Sequence, residues 1–188
     1  MNDKSEHISC CAMQVLKESG CAGFSMENVA EQANLELNVV LQYFKNKELL
    51  VEFILISFVE QCTTHLRSFK IEENQHADKA LNQFFLNILE YRESDACAVV
   101  FKELWGIALH NKEVRLVLDQ YYRELYQIVF QQLQVIAPEY CEESKIDHAA
   151  CFVLPFIEGY SLTRSTLPAS VLFLSEQLSK VVKGILFN

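Results

Sequence analysis

The stretch from Phe24 to Leu50, FSMENVAEQANLELNVVLQYFKNKELL, leaves the chain few choices. Two short amphipathic segments, Met26 to Gln32 and Leu37 to Tyr43, flank a tight joint at Ala33, Asn34 and Leu35, and a third segment starts at Asn46, Lys47 and Glu48. Ser25 and Asn46 are helix-capping residue types, because a short side-chain oxygen can accept from a backbone N–H that has no partner inside the helix. Val29, Ala30, Ala33, Leu35, Val40 and Phe44 supply an apolar face. A helix of about two turns does not survive alone, so neighbours must hold the middle segment. The pattern is that of a helix-turn-helix.

The rest of the chain reads as all-α. Of its 188 residues 51% are hydrophobic, enough for a core, and with three prolines and five glycines there is little to interrupt helices. Apolar residues recur at spacings of three and four almost throughout. The expected helices are about nine, at 8–19, 26–32, 37–43, 47–69, 77–92, 95–110, 112–136, 145–165 and 169–187, with a polar loop from Ile71 to Ala77. Gly20 sits where a left-handed cap would close the first helix. Pro138 ends the seventh, and Pro155 lies inside the eighth, where the loss of one backbone hydrogen bond should kink it. The apolar run from Leu49 to Val59 is interrupted by Glu52 and Ser57 and is expected to fall short of a membrane span, giving a soluble protein.

Charge argues against easy nucleic-acid binding. The formal net charge is −9. Residues 1 to 55 carry four lysines (Lys4, Lys17, Lys45, Lys47) against eight acids, and no arginine precedes Arg67. Contacts to phosphate call for the opposite sign. The seven cysteines are odd in number, lack CxxC spacing and follow no signal peptide, so they read as cytoplasmic free thiols, most of them packed as small apolar residues, with a redox-sensing pair as the alternative. No metal or cofactor is expected: the five histidines show no ligand spacing and the glycines form no phosphate loop. No catalytic constellation stands out, and the enzyme reading is weak.

At the helix-turn-helix the chain resembles the TetR family of bacterial transcription regulators. That family places Ser or Thr at Ser25, Ile-Ala at Val29-Ala30, Ala at Ala33, an aliphatic residue at Leu35, Phe at Phe44 and Ser/Asn-Lys-Glu-x-Leu at Asn46-Lys47-Glu48-Leu49-Leu50. Disagreement falls on the outward face, where the family's Gly, Ser, Lys, Gly, Thr and Tyr are replaced by Asn34, Glu36, Leu37, Asn38, Val39 and Leu41. The alternative is a helix-turn-helix of another family. A looser likeness to the sixth and seventh helices of the TetR ligand-binding domain covers Phe101 to Leu133.

The resemblance implies an N-terminal DNA-binding domain over 1–46 and a ligand-binding and dimerisation domain over 47–188, linked by helix four. It implies a cytoplasmic homodimeric regulator, most often a repressor, that binds palindromic DNA and answers to a small ligand. Ser25, Val39, Gln42, Tyr43, Lys45 and Lys47 are the candidate DNA contacts, with Asn38 and Gln42 able to read base edges. Phe58, Cys62, Phe84, Phe85, Ile88, Tyr91, Phe101, Trp105, Tyr122 and Phe152 are candidate lining for an apolar or aromatic ligand, with Glu103 or Tyr126 as possible polar contacts. Phe152, Phe156, Tyr160, Leu174, Leu178, Val181 and Val182 belong to two helices that are apolar on more than one side; that surplus implies a partner surface, the resemblance implies a four-helix bundle made with a second copy, and the alternative is a wholly intramolecular core. The competing interpretation is a TetR-fold dimer that has lost or altered DNA binding and takes a small molecule or a protein partner.

Overall fold

The computed structural model describes residues 3–71, 75–93, 95–167 and 169–188, with the side chains of 95–100 excepted. Among the described residues the chain forms nine helices and no strand: α1 (Asp3–Gly23), α2 (Met26–Gln32), α3 (Leu37–Tyr43), α4 (Lys47–Ser68), α5 (Ala77–Glu93), α6 (Asp95–Ala108), α7 (Lys112–Ile136), α8 (Glu143–Thr163) and α9 (Val171–Phe187). The all-α reading holds. Residues 72–74 of the expected polar loop and the thiol of Cys97, one of the seven cysteines, lie outside the described residues.

The largest boundary differences from expectation fall at the two ends of the first helix, for physical reasons. The first helix begins at Asp3 rather than near residue 8, with Asp3 and Glu6 in its first turn, where carboxylates favour the positive end of the helix dipole. At Gly20 the backbone turns to φ 62, ψ −174, a conformation open to glycine, yet helical residues resume beyond it to Gly23. A second correction concerns α4. By length and composition this helix is apolar enough to cross a membrane, because one glutamate and one serine do not break such a run, but half of that window is buried within the chain. Leu50, Val51, Ile54, Leu55 and Phe58 are core residues, which accounts for the apolar composition without a bilayer.

The chain divides into two compact units, 1–61 with 99–121, and 62–98 with 122–188. The first is larger than a three-helix domain over 1–46 because later residues share its core. Phe58 meets Phe101 edge-on at 5.4 Å between ring centroids, and Phe101 meets Tyr121 at 5.3 Å. In the second unit α5 lies along α9, and α8 packs against both. Ala80, Leu81, Phe84, Phe85, Ile88 and Leu89 put the apolar stripe of α5 inside. Leu89, Tyr160 and Val171 form a cluster there, bordered by Leu86, Phe156 and Leu174. α8 runs through Pro155, whose ring is exposed, so the missing N–H costs no core packing.

Most cysteines are not packed as core residues. Cys62 is buried, but Cys10 and Cys151 are exposed and Cys11, Cys21 and Cys141 are half-buried, all as free thiols. Their positions on exposed helical faces and chain turns override the intrinsic preference of the residue for burial.

Candidate nucleic-acid interface

The helix-turn-helix is assembled by caps and by a short core. Ser25 Oγ accepts from the Asn28 N–H at 3.1 Å and starts α2, and Asn46 Oδ1 accepts from the Leu49 N–H at 2.9 Å and starts α4. Both caps are those expected from sequence. Between α2 and α3, Leu35 N–H donates to Ala30 O at 2.9 Å, and Asn34 takes φ 53. Asparagine tolerates this left-handed backbone better than other side chains, which explains how the joint closes without glycine. Asn34→Val should therefore lower stability by about 1–2 kcal/mol and Asn34→Gly should not lower it, as read from urea denaturation midpoints. From α1, the His7 ring donates Nε2–H to Ala33 O at 3.1 Å and ties the joint to the first helix.

Seated this way, α3 has an inside and an outside. Val40 and Phe44 are buried, and the Phe44 ring lies 5.2 Å from that of Phe53. Asn38, Leu41 and Gln42 stand exposed on the opposite side, with Leu37, Val39 and Tyr43 half-buried along its margins. Asn38 and Gln42 make no side-chain hydrogen bond among the described residues, so both amides keep their donors and acceptor for a partner.

The two lysines of the motif part company. Lys45 is exposed just beyond α3. Lys47 turns inward: its ammonium donates to Phe24 O at 2.6 Å and to Cys21 O at 3.5 Å, and sits 5.3 Å from the centre of the Phe24 ring. It satisfies carbonyls at the end of α1 rather than facing solvent. Ser25 likewise has its oxygen engaged as a cap.

Sequence reasoning missed what braces this end of the first unit. Glu103 of α6 accepts from the Cys21 N–H at 2.7 Å, and the Cys21 thiol donates to Glu103 O at 3.3 Å. A Cβ on Gly20 would stand 3.4 Å from the same carboxylate. Nothing in spacing links residues 82 apart in sequence, and from sequence Glu103 reads only as a ligand contact. Burial, then the Glu103 hydrogen bond, pushes the Cys21 thiol up to about 12 from 9.0. The folded value lies above the unfolded one, so any stability it contributes is present below pH 9 and fades as pH rises toward 12. At about pH 8 iodoacetamide should alkylate exposed Cys10 well before Cys21, as peptide mass mapping would show.

The candidate ligand residues are shared out between the two units. Phe58, Phe101 and the half-buried Trp105 belong to the first unit, where Arg115 lies 5.9 Å from the Trp105 ring. In the second, Cys62, Phe84, Phe85 and Ile88 are buried. Tyr91 stacks on His65 at 4.1 Å and donates its hydroxyl to Cys62 Sγ at 3.7 Å. Half-buried Tyr122 hydrogen-bonds the Glu158 carboxyl, and Tyr126 donates to Asp147 at 2.6 Å. Phe152 points outward.

The candidate interface residues also divide. Leu178 and Val182 face the interior, and Tyr160 is buried with its hydroxyl donating to Glu93 at 2.8 Å. Phe152 and Val181 are exposed, together with Leu162, Leu172 and Phe173. Phe156 and Leu174 line an apolar groove of about 310 Å³ with Pro155, Gly159 and Leu167.

Comparison with known proteins agrees with this architecture. No protein-family model matches the chain. An HTH-type transcriptional regulator encoded in the dhlA 5' region of Xanthobacter autotrophicus is 33% identical over 186 residues, covering 96% of this chain and 89% of that protein. A TetR transcription regulator from Haloarcula marismortui superposes with a TM-score of 0.79 at 14% identity, covering 100% of this chain and 98% of that one. The multidrug binding protein EbrR, complexed with imidazole, superposes with a TM-score of 0.70 at 14% identity, over 99% and 96% of the two chains. With a capped helix-turn-helix at one end and a relative of that description along nearly its whole length, the chain belongs to the HTH-type transcriptional regulators, and its fold is that of the TetR regulators.

Proposed function

We propose that the protein is a homodimeric, ligand-responsive repressor that binds palindromic DNA in the cytoplasm. The observation that carries this reading is the outward face of α3, where Asn38, Leu41 and Gln42 stand exposed while Val40 and Phe44 anchor the helix in the core. In a helix-turn-helix the second helix enters the major groove, and a dimer places two such helices about one DNA turn apart. Exposed Phe152, Leu162, Leu172, Phe173 and Val181 on α8 and α9 supply the surface for a second copy. Lys45, Tyr43 and Val39 flank the groove-facing residues. Lys47 and Ser25 act on DNA indirectly, by fixing the ends of α1 and α2.

A small apolar or aromatic ligand would be held by the aromatic side chains of the second unit, buried Phe84 and Phe85 with half-buried Tyr91. EbrR, of the same fold, was crystallised with imidazole, which supports a ligand role for this domain. Ligand controls DNA binding only if it binds the DNA-competent and DNA-incompetent arrangements with different affinity.

DNase footprinting on the DNA flanking the protein's own gene tests the reading. Two protected half-sites of inverted sequence, centred about 34–36 Å apart along the duplex, are expected. An asymmetric footprint, or none, contradicts it. The second reading, a TetR-fold dimer with lost DNA binding, draws on the acidic N-terminal region and the inward-turned Lys47. A protein partner captured through Leu37 and Leu41 would favour it.

A further inference from the structure

The exposed face of α3 carries chemistry for one kind of base pair. Asn38, Leu41 and Gln42 are spaced three and four apart, so they project from one side of the helix. Each free amide pairs a carbonyl acceptor with an NH₂ donor. That pair matches adenine, which shows an N6 donor beside an N7 acceptor in the major groove, whereas guanine shows two acceptors there. Leu41, 36% exposed, stands on the same face beside the two amides and offers only methyl groups. Its counterpart in the major groove is the C5-methyl of thymine; against guanine or cytosine it would strip water from polar edges and return nothing. The guanine-reading residues are missing from this face. No arginine occurs before Arg67, Lys47 faces inward, and Lys45 follows the helix beyond its capping residue Phe44.

We propose that α3 reads an A·T-rich half-site, with the Asn38 and Gln42 amides each taking an adenine edge and Leu41 packing on a thymine methyl. This rests on the DNA-binding reading above and adds the class of sequence recognised. It also gives the unusual leucine a purpose: the apolar residue that weakens a phosphate-driven interface strengthens a methyl-reading one.

The test is selection of a random duplex library by the full-length protein at low salt, followed by titrations on the selected duplex. A·T pairs should dominate both half-sites, and changing a read A·T pair to G·C should weaken binding by roughly five- to hundredfold. Replacing one thymine by deoxyuridine, which removes only the methyl, should weaken the wild-type protein several-fold and leave Leu41→Ala unaffected. Gln42→Arg should move the preference at its position toward guanine. All three positions are exposed, and a matching thermal melt would confirm that each variant is folded. Selected G·C pairs at the read positions, or equal loss on deoxyuridine by wild type and Leu41→Ala, would overturn the proposal. Salt-dependent binding with no sequence preference would overturn it while leaving DNA binding intact. No binding to any duplex would overturn both.

Discussion

Arg92→Met will destabilise the protein by about 3–5 kcal/mol, among the largest effects open to a single substitution here. Arg92 sits on α5 with its side chain 3% exposed, and Nη2 donates to Glu158 Oε1 of α8 at 2.8 Å, Glu158 being 20% exposed. Burial pushes the Glu158 carboxyl above its ordinary value, while Arg92 and the Tyr122 hydrogen bond pull it back. Removing the guanidinium leaves a buried carboxylate without its counter-charge. A raised folded value means the group's contribution is complete below the unfolded value and is lost as pH climbs through the folded one. Without Arg92 the folded value rises further, so the deficit should be larger at about pH 8 than at about pH 5. Urea denaturation at both values measures it. The double variant Arg92→Met, Glu158→Leu should recover most of the loss, because it is the unpaired charge and not the missing pair that costs most. Equal stability of Arg92→Met and wild type would refute this account of the pair.

In the proposed homodimer, Phe152→Glu combined with Phe173→Glu will give a monomer. The two rings are 44% and 54% exposed on α8 and α9. A two-fold interface uses each residue twice, and burying a phenylalanine side chain is worth at least about 1.5 kcal/mol. Four such losses come to roughly 6 kcal/mol, a dimer dissociation constant raised by about four powers of ten. Sedimentation velocity should show a folded monomer, and affinity for a two-half-site duplex should fall with it because the second α3 is no longer carried along. Leu109→Glu, exposed in the first unit, is the comparison and should stay dimeric. A double variant that still sediments as a dimer would place the interface elsewhere.

The parts of this molecule that were legible in sequence are those fixed by local rules. Ser25 and Asn46 were readable as caps because a cap needs only its own residue type and the backbone that follows. The buried face of Val29, Ala30, Val40 and Phe44 was readable from periodicity, and so were the nine helices. The features that were not legible depend on who meets whom across the chain. Lys47 belongs to a motif that suggests phosphate, yet its ammonium is taken by carbonyls more than twenty residues away. Arg92 and Glu158 are 66 apart, and no local pattern distinguishes them from solvated charges. The apolar surplus of α8 and α9 was visible, but spacing alone did not sort Leu178 and Val182, which face inward, from Phe152 and Val181, which do not. Cysteine burial was misjudged for a related reason: residue preference says little when helix register sets the face.

The proposed function requires an acidic, arginine-free helix-turn-helix to bind DNA through α3. Fluorescence polarisation of the full-length protein on labelled duplex from the region flanking its own gene, with salt varied, tests it most directly. If about four phosphates are neutralised per dimer, affinity should fall by about a hundredfold between about 50 and 200 mM salt. Lys45→Glu should flatten the salt dependence by about two contacts per dimer. Affinity that does not change with salt, or no binding at about 50 mM, would contradict the claim.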